Sequence, residues 1–283
     1  MINTINSQFH SLLQKFESKG INSSPRGLAV KELELETLNL HPNFPIPDFY
    51  ARPMNWRYLM GELSWYLKRD RTIDYINNFS SFWKNLTDEQ GNINSNYGNL
   101  LFGEQLQWAY NSLIKDENTR QAISFVSRPS VQYAGNKDFV CTIYLNFWIR
   151  NNSLNMKVQM RSNDIFYGLS YDAPFFAFVQ QTMYMWLRDK YKTLQLGTYY
   201  HCADNIHYYE RHFEIAESIK KENVKDPYFF MLREPLFTLN KGVAILTDAG
   251  NNFIADVDQL INANSKITQE QSKETLTKYF FIQ

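Results

Sequence analysis

Cysteine is scarce in this sequence: Cys141 and Cys202 are the two in 283 residues. They fall on different predicted elements, which excludes a disulfide framework and fits a reducing, cytoplasmic setting. No run of about 18 apolar residues occurs, so no transmembrane helix is expected. The first thirty residues are polar and carry no apolar signal core, so secretion is not expected either. Neither charge sign is in excess, with Lys plus Arg at 29 and Asp plus Glu at 29. Without a global field, nucleic acid and membrane surfaces are not expected partners, and an anionic ligand must be held by a few local arginines. Internal repeats and Pro/Gly/Ser-rich linkers are missing too, so residues 1–283 are expected to form one domain. Aromatic residues, by contrast, are plentiful at 16%, with 18 Tyr and 21 Phe. They suffice for a large core and for stacking surfaces.

The most patterned stretch runs from Asp138 to Pro174. Cys141, Ile143, Leu145, Phe147 and Ile149 alternate with Thr142, Tyr144, Asn146, Trp148 and Arg150. Leu154, Met156, Val158 and Met160 alternate with Asn155, Lys157, Gln159 and Arg161. Period-two alternation on both sides of Asn151-Asn152-Ser153 predicts a β-hairpin. Pairing Arg150 near Leu154 makes paired numbers sum to about 304 and sets Cys141 opposite Ser162–Asp164. A thiol then stands beside a guanidinium, a hydroxyl and a carboxylate.

Elsewhere the pattern predicts a short helix within residues 1–20, a strand from Leu28 to Leu38, and a helix from Met54 to Lys68. On that helix Trp56, Leu59, Met60, Leu63, Tyr66 and Leu67 form an apolar stripe. Glu62 borders the stripe, where burial would raise its pKa and suit proton exchange with a bound ring; a solvated surface carboxylate is the bland alternative. A further helix is expected around Thr72–Phe79, an Asn/Gly-rich loop from Asp88 to Gly98, and a short strand at Ala122–Val126. Ala173–Leu187 is apolar on nearly every side and reads as a central buried helix. Leu194–Tyr200 reads as a strand that gives way to a helix within His201–His212, and strands are expected at Tyr228–Leu232 and Leu236–Leu246 before a polar helical tail. Arg26 sits in Ser23-Ser24-Pro25-Arg26-Gly27, either as a solvated surface group or as a phosphate clamp. Three of the five histidines lie within residues 201–212, yet His207 and His212 are five apart rather than four. Neither cysteine has a partner at zinc-ligand spacing, so no metal is expected.

Five ordered motifs resemble the thymidylate synthase family, which includes the pyrimidine-nucleotide hydroxymethylases. They are Gly61-Glu62-Leu63-Ser64-Trp65, Tyr97-Gly98, Cys141, Arg161-Ser162-Asn163-Asp164-Ile165-Phe166-Tyr167-Gly168-Leu169, and His207-Tyr208-Tyr209. The resemblance implies an α/β (α+β) fold with a mixed sheet packed by helices and a homodimer formed through the sheet. It implies Cys141 as the nucleophile that adds to C6 of a pyrimidine, although a strand cysteine is also an ordinary small core residue. Glu62 and Tyr97 would order water and protons around the ring. Arg26, Arg161 and Ser162 would hold the phosphate, with Arg120 reaching the partner subunit's phosphate site. His207 and Tyr209 would bond the ribose, and Arg52, Trp83, Asp164 and Gly168 would serve the folate co-substrate, 5,10-methylenetetrahydrofolate.

Departures from the family pattern sharpen the expectation. Asp172 stands where thymidylate synthases carry asparagine, and a carboxylate accepts where an amide both donates and accepts. It would repel O4 of uracil and accept from the cytosine amino group and a protonated N3, although a helix N-cap would also favour an Asp there. Glycine 61 replaces a family histidine, Thr142 replaces the histidine after the nucleophile, Gln121 replaces one of two paired arginines, and Arg52 replaces a lysine. The expected activity is 5-hydroxymethylation of dCMP, ahead of CMP. Alternatives are C5 methylation of dCMP or dUMP, and an inactive relative that binds nucleotides.

Overall fold

The computed structural model describes residues 3–89, 91–263 and 266–283. Position 90 of the Asp88–Gly98 loop and positions 264–265 of the polar tail lie outside them. Helix α1 (Ile5–Lys19) starts where the Thr4 hydroxyl accepts from the Ser7 amide, and it buries Ile5, Phe9, Leu12, Leu13 and Phe16 on one face. Strands β1 (Ile21–Ser23) and β2 (Val30–Leu40) follow, then α2 (Trp56–Lys68), capped by Asn55 and closed by left-handed Arg69. Helices α3 (Tyr97–Leu101) and α4 (Glu104–Lys115) precede β3 (Ile123–Phe125), β4 (Thr142–Arg150), β5 (Ser153–Met160) and the short β6 (Asn163–Asp164). Next come α5 (Ser170–Leu187), the 15-residue β7 (Gln195–Tyr209) and α6 (Phe213–Lys221). The last elements are β8 (Phe230–Leu232), β9 (Phe237–Asn240), β10 (Val243–Leu246), α7 (Asp248–Asn262), α8 (Gln269–Tyr279) and β11 (Phe280–Ile282).

Among the described residues the main sheet runs β1-β2-β7-β5-β4-β3, with β6 beside β7. The β5–β7 pair is parallel and the other neighbours on that path are antiparallel, so the sheet is mixed. One face buries Leu145, Phe147, Leu154, Met156, Val158 and Tyr199 against the core. Over it lies α5, with Phe175, Phe176, Phe178 and Val179 nearly inaccessible, as its all-round apolarity predicts. No helix is long and apolar enough to cross a membrane among the described residues.

The β4–β5 hairpin forms as its alternation requires, around Asn151 and Asn152 in the left-handed region (φ 50 and 57). Its register differs slightly from expectation. Arg150 pairs with Ser153 rather than Leu154, and a bulge between Thr142 and Tyr144 brings Thr142 opposite Met160. The bulge turns Thr142, not Cys141, into the fully buried face and leaves Cys141 half-buried.

Two further expectations are corrected. Thr72–Phe79 is not a helix: Thr72 bridges Asn92, and a single 3₁₀ turn covers Ile76–Asn78. The strand expected to end at Tyr200 continues as β7 to Tyr209, and the helix expected within His201–His212 begins only at Glu210, as a 3₁₀ turn that leads into α6. Alternation is masked there because Leu35 on the neighbouring β2 is left-handed (φ 55) and missing from the ladder, which shifts buried positions from Leu38 to Leu33 and from Ala203 to Ile206.

Candidate active site

The site lies where β4, the turn after β5, α2, α3 and the start of α5 converge. The Arg161 amide donates to the Cys141 carbonyl (2.9 Å), extending the hairpin by one pair. The Arg161 guanidinium reaches the Cys141 thiol (3.5 Å) and the Val140 carbonyl (3.1 Å), and it packs over the Phe139 ring. Loss of water raises the Cys141 thiol above its ordinary value, while Arg161 and Arg26 pull it back down. Arg26 therefore sits within electrostatic reach of the thiol. It stands exposed in a left-handed turn (φ 57) ahead of Gly27.

Glu62 is 7% exposed on α2. Tyr58 donates to it at 2.8 Å, and Tyr66 donates from the next turn. Residues 58, 62 and 66 follow i, i+4, so all three point the same way from the helix. Trp83 donates in turn to the Tyr58 hydroxyl (3.2 Å). Burial and then the nearby Asp172 charge push Glu62 up to about 8. Glycine 61 has its own reason: a Cβ there would lie 2.2 Å from the Phe79 ring, which fills that space.

Tyr97 stacks on Tyr66 at 5.5 Å. It gets there because Gly98 lets α3 touch α2, where a Cβ would fall 1.7 Å from the Tyr66 carbonyl oxygen. Asp138 fixes the same loop to the strand that carries Cys141, accepting from the amides of Asn94 (2.6 Å) and Ser95 (2.7 Å). Burial raises the Tyr97 phenol well above its ordinary value, and the charges of Asp172 and Cys141 add to this.

Asp172 lies in the first turn of α5 without capping it. Asp164 caps the π-helical turn Ile165–Leu169 that leads into α5, its Oδ1 accepting from the amides of Phe166 (2.7 Å) and Tyr167 (3.2 Å). Asp172 instead faces Asn163, whose amide donates to Oδ2 at 2.7 Å. Burial raises Asp172 to about 6, against the opposing effect of that hydrogen bond. His207 lies on β7 against Asn205 (3.0 Å) and Tyr209, and it feels Asp164, Arg26 and Arg161. Ser162 is half-buried next to Arg161. Arg52 donates to Ser170 (3.0 Å) and to the Phe166 carbonyl, bracing the turn before α5.

Arg120 stands apart. The β3–β4 register places residue 120 opposite about residue 149, roughly 26 Å along β4 from Cys141 at about 3.3 Å per residue. Its own chain does not bring it to the thiol. Reading the sequence missed Tyr58, Asn163, His201 and Tyr199 and counted Tyr66 as core; the i−4 and i+4 spacing about Glu62 was the available signal for the two helical tyrosines. No cluster of His, Cys, Asp and Glu among the described residues could hold a metal ion.

A thiol thus lies under a guanidinium and faces two carboxyls that loss of water raises. The family model for thymidylate synthase matches residues 7–241, and the chain belongs to the thymidylate synthase family, as a one-carbon transferase acting on pyrimidine nucleotides. It is 28% identical over 211 residues to the deoxycytidylate 5-hydroxymethyltransferase of Enterobacteria phage T4, covering 68% of this chain and 86% of that protein. It is 23% identical to the deoxyuridylate hydroxymethyltransferase of Bacillus phage SP01, covering 97% of this chain and 71% of that protein. Its fold is similar to thermostable thymidylate synthase A from Bacillus subtilis, with a TM-score of 0.66 at 15% identity, covering 80% of this chain and 87% of that one.

Proposed function

We propose that the protein 5-hydroxymethylates a cytosine nucleotide, dCMP ahead of CMP, in the cytoplasm, with residues 1–283 acting as one domain. One observation carries the choice of base: Asp172, a half-buried carboxyl that loss of water raises to about 6, stands close enough to feel both Cys141 and Glu62. A carboxylate there accepts from the cytosine amino group and from a protonated N3, whereas it faces O4 of uracil acceptor to acceptor.

Cys141 adds through sulfur to C6, and Asp172 holds the proton that N3 takes up as electron density moves into the ring. Arg161, Arg26 and Ser162 hold the phosphate, and His207 and Tyr209 bond the sugar. The acid-and-base work at C5 falls to Glu62 and Tyr97, buried together against Tyr66. When bound, 5,10-methylenetetrahydrofolate supplies the one-carbon unit. The residues present fit it: Asp164 uses one oxygen on the turn and keeps Oδ2 as an acceptor for pterin N–H groups, beside exposed Tyr167. Gly168, Arg52 and Trp83 complete that wall. C5 bonds to the one-carbon unit, and loss of the C5 proton with departure of tetrahydrofolate leaves an exocyclic methylene. Water adds to it and gives up a proton, and elimination of the Cys141 sulfur from C6 restores the aromatic ring.

Homodimerisation belongs to the same reading. The sheet face opposite α5 presents Tyr144, Lys157 and a Trp148–Tyr200 stack at 5.7 Å, all half-buried. A second copy packed there would bring its Arg120 toward the phosphate. The test is to incubate the enzyme with methylenetetrahydrofolate and dCMP, CMP or dUMP and weigh the products. Gain of CH2O on dCMP is expected, and no product from any nucleotide sinks the reading. The SP01 relative, a deoxyuridylate enzyme by name, is the reason dUMP belongs in the assay; turnover of dUMP alone would transfer the reaction to uracil, and gain of CH2 would make it a methylation.

A further inference from the structure

Asp172 is the end of a buried chain of hydrogen bonds that the proposed reaction does not use. The Tyr199 hydroxyl lies 2.7 Å from His201 Nδ1, His201 Nε2 lies 3.0 Å from Asn163 Oδ1, and Asn163 Nδ2 donates to Asp172 Oδ2 at 2.7 Å. Tyr199 and His201 are fully buried, and Asn163 is 3% exposed. Gly168 makes room for the last link, since a Cβ there would lie 2.6 Å from Asn163 Nδ2 and 3.2 Å from Asp172 Oδ2.

The direction of every bond follows from chemistry. An amide nitrogen can only donate and its oxygen can only accept. With Nδ2 turned to Asp172, Asn163 Oδ1 must accept from His201 Nε2–H. Burial holds the imidazole neutral, so Nδ1 must accept from the Tyr199 hydroxyl. The chain could in principle run backwards, with a protonated Asp172 Oδ2 donating into it. Tyr199 decides against this. Its hydroxyl has no hydrogen-bond partner but His201 among the described residues, and reversal would leave a buried O–H donor without an acceptor, which is strongly disfavoured away from water.

We propose that Asn163, His201 and Tyr199 are positioning residues for base selection: they commit Asp172 Oδ2 to accepting, so that any proton shared with the base sits on Oδ1. This rests on Asp172 reading the base, and it explains how a carboxyl that is readily protonated can discriminate at all. A neutral carboxyl presents one donor and one acceptor, and it can exchange them. The cytosine edge offers an N–H donor at the amino group and an acceptor at N3; the uracil edge offers an acceptor at O4 and a donor at N3. The two edges need opposite orders. An acid free to choose its protonated oxygen satisfies either base, and an acid with one oxygen locked satisfies one.

The test measures binding rather than turnover, so its result is separate from whether a one-carbon unit is transferred. Dissociation constants for dCMP and dUMP are determined by calorimetry for the wild type and for Tyr199→Phe, His201→Phe and His201→Gln. Wild type is expected to prefer dCMP, and both phenylalanine variants should cut that preference about tenfold or more, mainly by admitting dUMP. Glutamine at 201 offers both a donor and an acceptor and should restore the preference, which mere repair of packing would not do. Tyr199→Phe keeps the ring in place and carries the test should His201→Phe fail to fold. An unchanged preference in the phenylalanine variant that folds, or equal binding of the two nucleotides by the wild type, overturns the proposal.

Discussion

The two sides of the candidate site differ in how they treat charge. One side is basic and partly open: Arg26 is exposed, Arg161 and His207 are half-buried, and their partners are backbone carbonyls, a thiol and an amide oxygen. The other is acidic and drier: Glu62, Tyr66 and Tyr97 are buried, Tyr58 and Asp172 are half-buried, and loss of water opposes ionisation of all five. A cation near water can hold an anion without being committed to one geometry, which suits a phosphate. Acids out of water hold protons near neutrality, which suits ring chemistry. The two carboxyls are also split from each other. Asp172 ionises first, near 6, while burial and then the Asp172 charge hold Glu62 back to about 8. At pH 7 one is mainly a base and the other mainly an acid.

That contrast can be broken at three points. The largest effect is expected where the two sides meet. Cys141→Ala should lower turnover by about 10⁴-fold or more, because the covalent route is lost, while nucleotide binding by calorimetry survives. Retained turnover would mean the thiol is a packing group on its strand.

Next is the dry side. Glu62→Gln should lower kcat by about 10²- to 10³-fold with little change in nucleotide affinity. It should also change the pH dependence of stability. Glu62 has a folded pKa above its unfolded value, so its stabilising contribution is complete below about 4.5 and is lost as pH rises through about 8. The wild type should therefore lose stability across that window, at about 1.4 kcal/mol per unit of pKa shift as an upper bound. The glutamine variant should lose less, as denaturant titrations at pH 5, 7 and 8.5 would read. The smallest effect belongs to the basic side: Arg26→Ala should raise KM about tenfold with kcat nearly unchanged. The loss should shrink as salt is added, since an exposed charge is screened.

Much of this arrangement is legible in the sequence. The β4–β5 hairpin follows from strict alternation around two asparagines, and α5 follows from an apolar run with no polar face. The acid beside the apolar stripe of α2 is legible as well. What escaped notice depends on contacts between distant segments. The end of β7 reads as a helix start because a left-handed Leu35, more than 160 residues earlier, breaks the alternation on both strands. Thr142 takes the buried position assigned to Cys141 because a bulge cannot be read from alternation alone. Asn163 and His201 meet only because β5 and β6 run parallel beside β7 in one register, Met160 opposite Ala203 and Asn163 opposite Ile206. In sequence His201 is one of a cluster of histidines considered for metal, and in the fold it serves a carboxyl.

Base selection by Asp172 is the claim on which the specific function rests, and Asp172→Asn tests it most directly. The ratio of kcat/KM for dCMP to that for dUMP should fall by about a hundredfold or more, because an amide can donate to O4 and accept from N3–H while a carboxylate cannot. A variant that keeps the cytosine preference of the wild type would contradict the account.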